Sequence, residues 1–230
     1  MGEYHLPGTP LVPVVLRRSA RARRISLRVS QLDGRVTLTV PRGVSTAEAM
    51  SFAATKADWV RGHLAGRADD VPVIAGALLP VEGRLRLVET GGTRRVRLDA
   101  DRLMLPADRP GTRAEAYLKS LARDRLAAAS DRHAARLGRR YTRITLRDTR
   151  SRWGSCSSAG ALMYSWRLIL APPEILDYVA AHEVAHLAEM NHSPAFWALV
   201  DRLYGPHDAA RGWLRTEGSA LHRYRFREED

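Results

Sequence analysis

The chain has 230 residues, 45% hydrophobic and 27% charged, with 37 basic against 25 acidic side chains and a formal charge of +12. This is ordinary globular composition, long enough for one large domain or two small ones. The absence of any run of about 18 apolar residues excludes a membrane-spanning helix, and the single cysteine, Cys156, excludes an intrachain disulfide. The N-terminal MGEYHLPGTPLVPVV lacks the basic-then-apolar order of a signal peptide, so a cytoplasmic location with no membrane partner is expected. The basic charge is carried by arginine: only Lys56 and Lys119 are lysines, so 37 minus 2 leaves 35 arginines. Its concentration in the N-terminal half, as in RRSARARR from Arg17 to Arg24, leaves a nucleotide or nucleic acid open as partner.

Along the chain, PVVLRRS, RRISLRVS and RVTLTVP alternate apolar and polar residues around the turn dipeptide Asp33-Gly34 and predict a small antiparallel meander. Apolar positions at helical spacing then predict one helix over Thr46 to Leu64. The loop AGRADDVP, Ala65 to Pro72, marks a boundary between residues 1–68 and 69–230, unless both parts form one continuous domain. LRLVE, RRVRLD and RLMLP read as a second set of strands. A helix is expected from Thr112, with Glu115 completing a capping box, to a stop at Gly138. RITLR (143–147) reads as a strand, and RWGSCSSAGALMYSW as a hairpin turning near Ser157 to Gly160. Pro172 and Pro173 open a helix running to about Glu189, which a left-handed Asn191 would end. Ser193-Pro194 caps and starts the next helix, and Asp208 to Tyr224 is expected to be helical as well.

The chemistry lies in HEVAHLAEMNH, His182 to His192. On a helix His182 and His186 are about 400° apart, so both imidazoles leave one face a turn apart, a spacing that suits a single zinc ion. Glu183, about 100° from His182, places a carboxylate beside the metal, where it can deprotonate a bound water without ligating. A catalytic zinc needs a third protein ligand and an open fourth position, and His192 can swing back from beyond the helix end to be that ligand. In a chain with 8 histidines and 11 glutamates this pattern arises by chance in roughly one chain in two thousand, so a decorative role carries little weight. The remaining histidines lack partners at ligand spacing. Tyr204 and His207 are open as donors to an oxyanion, and Glu217 as a competing ligand.

Metzincins share the three-histidine spacing but have glycine where Glu189 stands. RWGSC (Arg152 to Cys156), DYVAAHEVAHL (Asp177 to Leu187) and NHSPAFW (Asn191 to Trp197), in this order and with these gaps, resemble the YgjP-like family of zinc metallohydrolases, relatives of the SprT-like and WLM metalloproteases. The N-terminal strands with TKADWV are similar to that family too, whereas Ser165 stands where asparagine is more typical. The resemblance implies an α+β fold: a gluzincin-like zinc-metallopeptidase unit, with a short sheet edge beside the zinc helix, preceded by the β-meander plus helix. RWGSC would form part of that edge. Gly154 would let a substrate backbone approach, and Arg152 and Trp153 would line the cleft; alternatively Trp153 packs the core and Arg152 pairs with a carboxylate such as Asp148.

The expected activity is hydrolysis by a zinc-bound water, with one Zn2+ on His182, His186 and His192, Glu183 as general base, and a peptide or protein as substrate. Two alternatives stay open. One is metal-dependent pyrophosphohydrolysis of a nucleoside triphosphate. The other is a nucleic-acid-associated SprT-like protease or binding module.

Overall fold

The computed structural model describes residues 3–30, 34–66 and 69–227, which divide into two units, Met1–Asp69 and Asp70–Asp230. In the first unit β1 (Tyr4–Leu6), β2 (Val12–Ser19), β3 (Ser26–Val29) and β4 (Val36–Pro41) form a sheet in the order β1-β2-β4-β3. The expected meander is corrected here, because β2 runs parallel to β4, pairing Val14 with Val36 through Ser19 with Pro41. Strand β4 buries every second residue (Val36, Leu38 and Val40), which suits a central position, whereas β3 exposes Ser26 and Arg28 beside half-buried Leu27 and Val29 and takes the edge. Of the expected Asp33-Gly34 turn, Asp33 lies outside the described residues, as do Arg67 and Ala68 of the boundary loop.

The predicted single helix is two helices, α1 (Thr46–Ala54) and α2 (Ala57–Ala65). The break follows from Thr55, whose hydroxyl donates to the Phe52 carbonyl at 2.7 Å while the Lys56 amide reaches back only three residues, to Ala53. Ala49, Ala53, Ala57 and Val60 nevertheless keep one buried face, packed with Leu6, Val12, Val14 and the β4 residues.

The second unit is a mixed α/β arrangement with several small sheets. It opens with β5 (Val71–Pro72), β6 (Leu78–Val81), β7 (Arg84–Thr90), β8 (Arg97–Leu98) and β9 (Arg102–Leu105), the last four forming a sheet in the order β6-β7-β9-β8. Helix α3 (Pro110–Leu137) follows. It begins two residues before the expected start and without the expected capping box: Glu115 pairs instead with Lys119 at 2.6 Å and Arg227 at 2.9 Å. Its end is as expected, with Gly138 at φ +70°, a conformation that glycine adopts without a Cβ clash. Ala114, Leu118, Ala122, Leu126 and Ala129 line its buried face.

Strands β10 (Arg143–Arg147), β11 (Gly154–Cys156) and β12 (Ala161–Ser165) make a three-stranded sheet in the order β10-β12-β11, with β11 and β12 as the predicted hairpin and β10 parallel to β12. A 3-10 segment, Trp166–Leu170, is buried along its whole length and leads to α4 (Pro173–Ala185). Helices α5 (Pro194–Leu203) and α6 (Asp208–Thr216) follow. The expected C-terminal helix thus stops at Thr216, giving way to a 3-10 segment (Gly218–Arg223) and β13 (Tyr224–Arg225), which pairs in parallel with β5. Among the described residues no helix is long and apolar enough to cross a membrane.

One buried cation ties the middle of this unit to its C-terminal segment. The Arg167 guanidinium donates to both oxygens of Asp148, at 2.7 and 3.0 Å, and to the carbonyls of Leu221 and Tyr224, at 3.0 and 3.1 Å. Burial raises the Asp148 carboxyl pKa, but the hydrogen bonds and charge of Arg167 outweigh it and hold the group below the usual carboxylate range. Arg167→Ala is therefore expected to lower stability by about 1–3 kcal/mol, since it removes a buried guanidinium and leaves two carbonyls without their donor. The denaturation midpoint measures this, and an unchanged midpoint would show that the C-terminal segment is held by other contacts.

Candidate metal centre

Helix α4 starts at Pro173, where a missing backbone donor has no cost, and carries Ile175, Leu176, Val179, Ala180 and Val184 into the core. It ends at Ala185, one turn before the expected Glu189, with His186 as its C-terminal cap. The chain tightens there: the amides of Leu187 and Ala188 donate to carbonyls three residues back, and His186 Nδ1 donates to the Glu189 carbonyl at 2.9 Å. That last bond fixes the tautomer and leaves His186 Nε2 with its lone pair free.

His192 returns to the helix as the spacing suggests, but by another route. Asn191 is not left-handed; the only non-glycine residues at positive φ among the described residues are Glu82 and Arg109. Instead Asn191 Oδ1 accepts the Ser193 amide at 3.1 Å, an Asx turn, and Ser193 Oγ accepts the Phe196 amide at 3.3 Å as the expected cap of α5. The result places His192 Nε2 3.1 Å from His182 Nε2. Phe196 packs against all three imidazoles, with ring centroids 4.9, 4.4 and 4.8 Å from those of His182, His186 and His192.

The three histidines offer one nitrogen each within 4.8 Å of one another, and among the described residues they are the group able to hold a metal ion. The donor set fits zinc. A tetrahedral site with Zn–N of about 2.0–2.1 Å has N···N edges of about 3.3 Å, close to the His182–His192 separation. Burial, and then the neighbouring imidazoles, push the His182 pKa down to about 3, and burial lowers that of His186, so these rings are in the neutral form a metal requires. His182 Nδ1 is itself buried without a hydrogen-bond partner, so the exchangeable chemistry of this ring is concentrated at Nε2.

Glu183 lies against β11. A Cβ on Gly154 would come within 2.6 Å of Glu183 Cγ and Oε1, so the glycine is required by the glutamate on the neighbouring helix, a role different from the expected approach of a substrate backbone. Burial pushes the Glu183 carboxyl up to about 8, against an opposing pull from the Arg152 charge. Burial and then the Glu183 charge push the Cys156 thiol up to about 11, so it stays protonated in the metal-free protein. A cavity of about 240 Å³ joins these groups, with Gly154, Ser155 and Cys156 on one wall and Glu183, Met190 and the three histidines on the other.

The remaining expected residues lie outside that wall. Trp153 packs against Gly218 and the His222 ring, 5.5 Å away, and its carbonyl accepts the Ser165 amide. Arg152 is exposed and acts on Glu183 through its charge; Asp148, suggested as its partner, belongs to Arg167. His207 stacks on Trp197 and bonds Asp201 at 2.8 Å, while Tyr204 packs on Tyr178. Glu217 caps α6, outside the histidine group. Cys156 and Met190 carried no spacing signal that would have placed them in the cavity.

The sequence profile of the family described as YgjP-like, metallopeptidase domain, matches residues 23–217. No curated protein matches the chain. Among solved structures, the metallopeptidase zymogen abylysin of Pyrococcus abyssi is similar at 19% identity and a TM-score of 0.36, over 40% of this chain and 95% of that one. Because the profile spans most of the chain, including the histidines, Glu183 and the β11 edge, the protein belongs to the YgjP-like metallopeptidase family, whose members work through a metal ion.

Proposed function

We propose that the protein is a zinc-dependent peptidase in which His182, His186 and His192 hold one ion and Glu183 is the general base. The observation that carries this reading is the convergence of three imidazole nitrogens beside a buried carboxylate in one cavity. Zinc held there would supply Lewis acidity, lowering the pKa of a water from about 15.7 to about 7. Glu183, packed against Gly154, takes the proton at its carboxylate and delivers it to the departing amine. In the metal-free protein burial raises the proton affinity of this carboxyl, and a bound cation would pull it back toward the ionised form that acts as a base. Among the described residues β11 is the edge of its sheet, so an extended peptide can add there alongside the cavity. A zinc helix flanked by a sheet edge is the gluzincin-like arrangement that the motifs imply.

Metal analysis and turnover test the roles together. Glu183→Gln should retain zinc while kcat falls by about two to four orders of magnitude. His186→Ala and His192→Ala should lose zinc, and Glu217→Ala should keep it. Zinc retained by His192→Ala and lost by Glu217→Ala would overturn the ligand set.

Glu183 also makes the chelator-treated protein sensitive to pH. Its folded pKa, about 8, lies above the usual carboxylate value, so the folded state binds the extra proton and loses stability as pH rises from about 4.5 toward 8. Glu183→Gln should then match the wild type near pH 4 and exceed it by on the order of 5 kcal/mol at pH 9. Equal pH profiles for both metal-free proteins would show that the carboxylate is solvated.

A further inference from the structure

Next to the metal cavity lies a second, of about 380 Å³, with His186, Leu187 and Met190 as its inner wall. Two of these, His186 and Met190, also line the first. Its outer wall is the β11–β12 turn, Ser157 to Gly160, and the pair Arg139 and Arg140. Both arginines are exposed, and among the described residues neither guanidinium has a hydrogen-bonded or ion-paired partner. Asp131, the carboxylate that shares a further wall with them, is occupied by the Tyr141 hydroxyl at 2.6 Å.

These arginines are mounted on fixed backbone. Gly138 ends α3 and turns the chain, the Arg139 amide donates to the Ala134 carbonyl at 3.1 Å, and Thr142 ties the segment to the hairpin turn. Its amide donates to Gly160 at 2.8 Å and its hydroxyl to Ala159 at 3.2 Å. Two adjacent like charges on a braced turn repel one another, and an anion placed between them relieves that repulsion. From Ser155 on β11 into the turn at Ser158 the chain advances at most about 10 Å, the span of three residues of extended chain.

We infer that Arg139 and Arg140 form a subsite for an acidic side chain of a peptide substrate, two to four residues from the bond opposite the histidine cluster. The inference rests on the peptidase reading for its substrate class, and it adds a charge preference that this reading does not contain. Ser157 and Ser158 supply further polar groups in the same wall, although Ser157 Oγ already accepts the Ala161 amide at 3.1 Å.

The test uses full-length, zinc-loaded Glu183→Gln and labelled decapeptides that differ only in Glu, Gln or Lys at positions two to four on either side of the central bond. Fluorescence anisotropy should show the Glu peptide binding about tenfold more tightly than the Gln peptide at low salt, as two exposed charge contacts allow. In 1 M salt, where the Debye length is about 3 Å, the difference should largely vanish. Arg139→Glu with Arg140→Glu should reverse the order in favour of Lys. Equal binding of Glu and Gln peptides, or an order unmoved by the charge reversal, overturns the inference. A nucleoside triphosphate that binds through both arginines, with no charge preference among peptides, also overturns it. The two readings fail separately: a charge preference in binding with no cleavage by zinc-loaded wild type removes the peptidase reading and leaves the subsite, and cleavage without preference does the reverse.

Discussion

The second unit depends on one close approach, that of helix α4 to the sheet edge at Gly154. The glutamate side chain occupies the volume that any side chain at that position would need, so helix and strand sit at a separation that only glycine permits. That separation brings a carboxylate, a strand edge and three imidazoles around one cavity. It also removes water from the carboxylate, which is what raises its proton affinity. Packing geometry and acid–base chemistry therefore share a cause, and an alanine at 154 would disturb both.

Aromatic packing supplies the second constraint. Phe196 stands at the centre of the imidazole cluster, with Trp197 stacked on His192 and His207 stacked on Trp197. Such a wall excludes solvent from His182 and His186, which favours their neutral form, and it limits the rotamers of the rings it packs, so little entropy remains to be lost when a cation is captured. Farther out, Arg167 binds the strand-to-helix region to the C-terminal segment, which carries the surface against which Trp153 packs.

Local signals in the sequence were legible wherever their physics is local. Pro173 and Pro194 at helix starts, Ser193 as a cap, Gly138 as a stop and the 154–165 hairpin all follow from side chains acting on their own backbone. The histidine spacing reads through for the same reason, since one helical turn sets it. The misreadings arise where distant chain segments compete. Parallel pairing of β2 with β4 depends on which strands take the centre of the sheet, and Glu115 left its capping role for ion pairs that include Arg227, far along the chain. Asn191 was recognised as a turn residue, but its side chain made the turn in place of its φ angle. The contact between Gly154 and Glu183 had no trace in spacing, because it joins a strand to a helix across a stretch of intervening structure.

The early end of α4 has an electrostatic consequence. A helix that stopped at Glu189 would carry His186 within its last turn and place its carbonyl end beyond that residue. Ending at Ala185 instead directs the carbonyl end of the helix, equivalent to about half a negative elementary charge, toward the turn that bears His186. The macrodipole thus favours a cation near His186 in a chain whose net charge is +12.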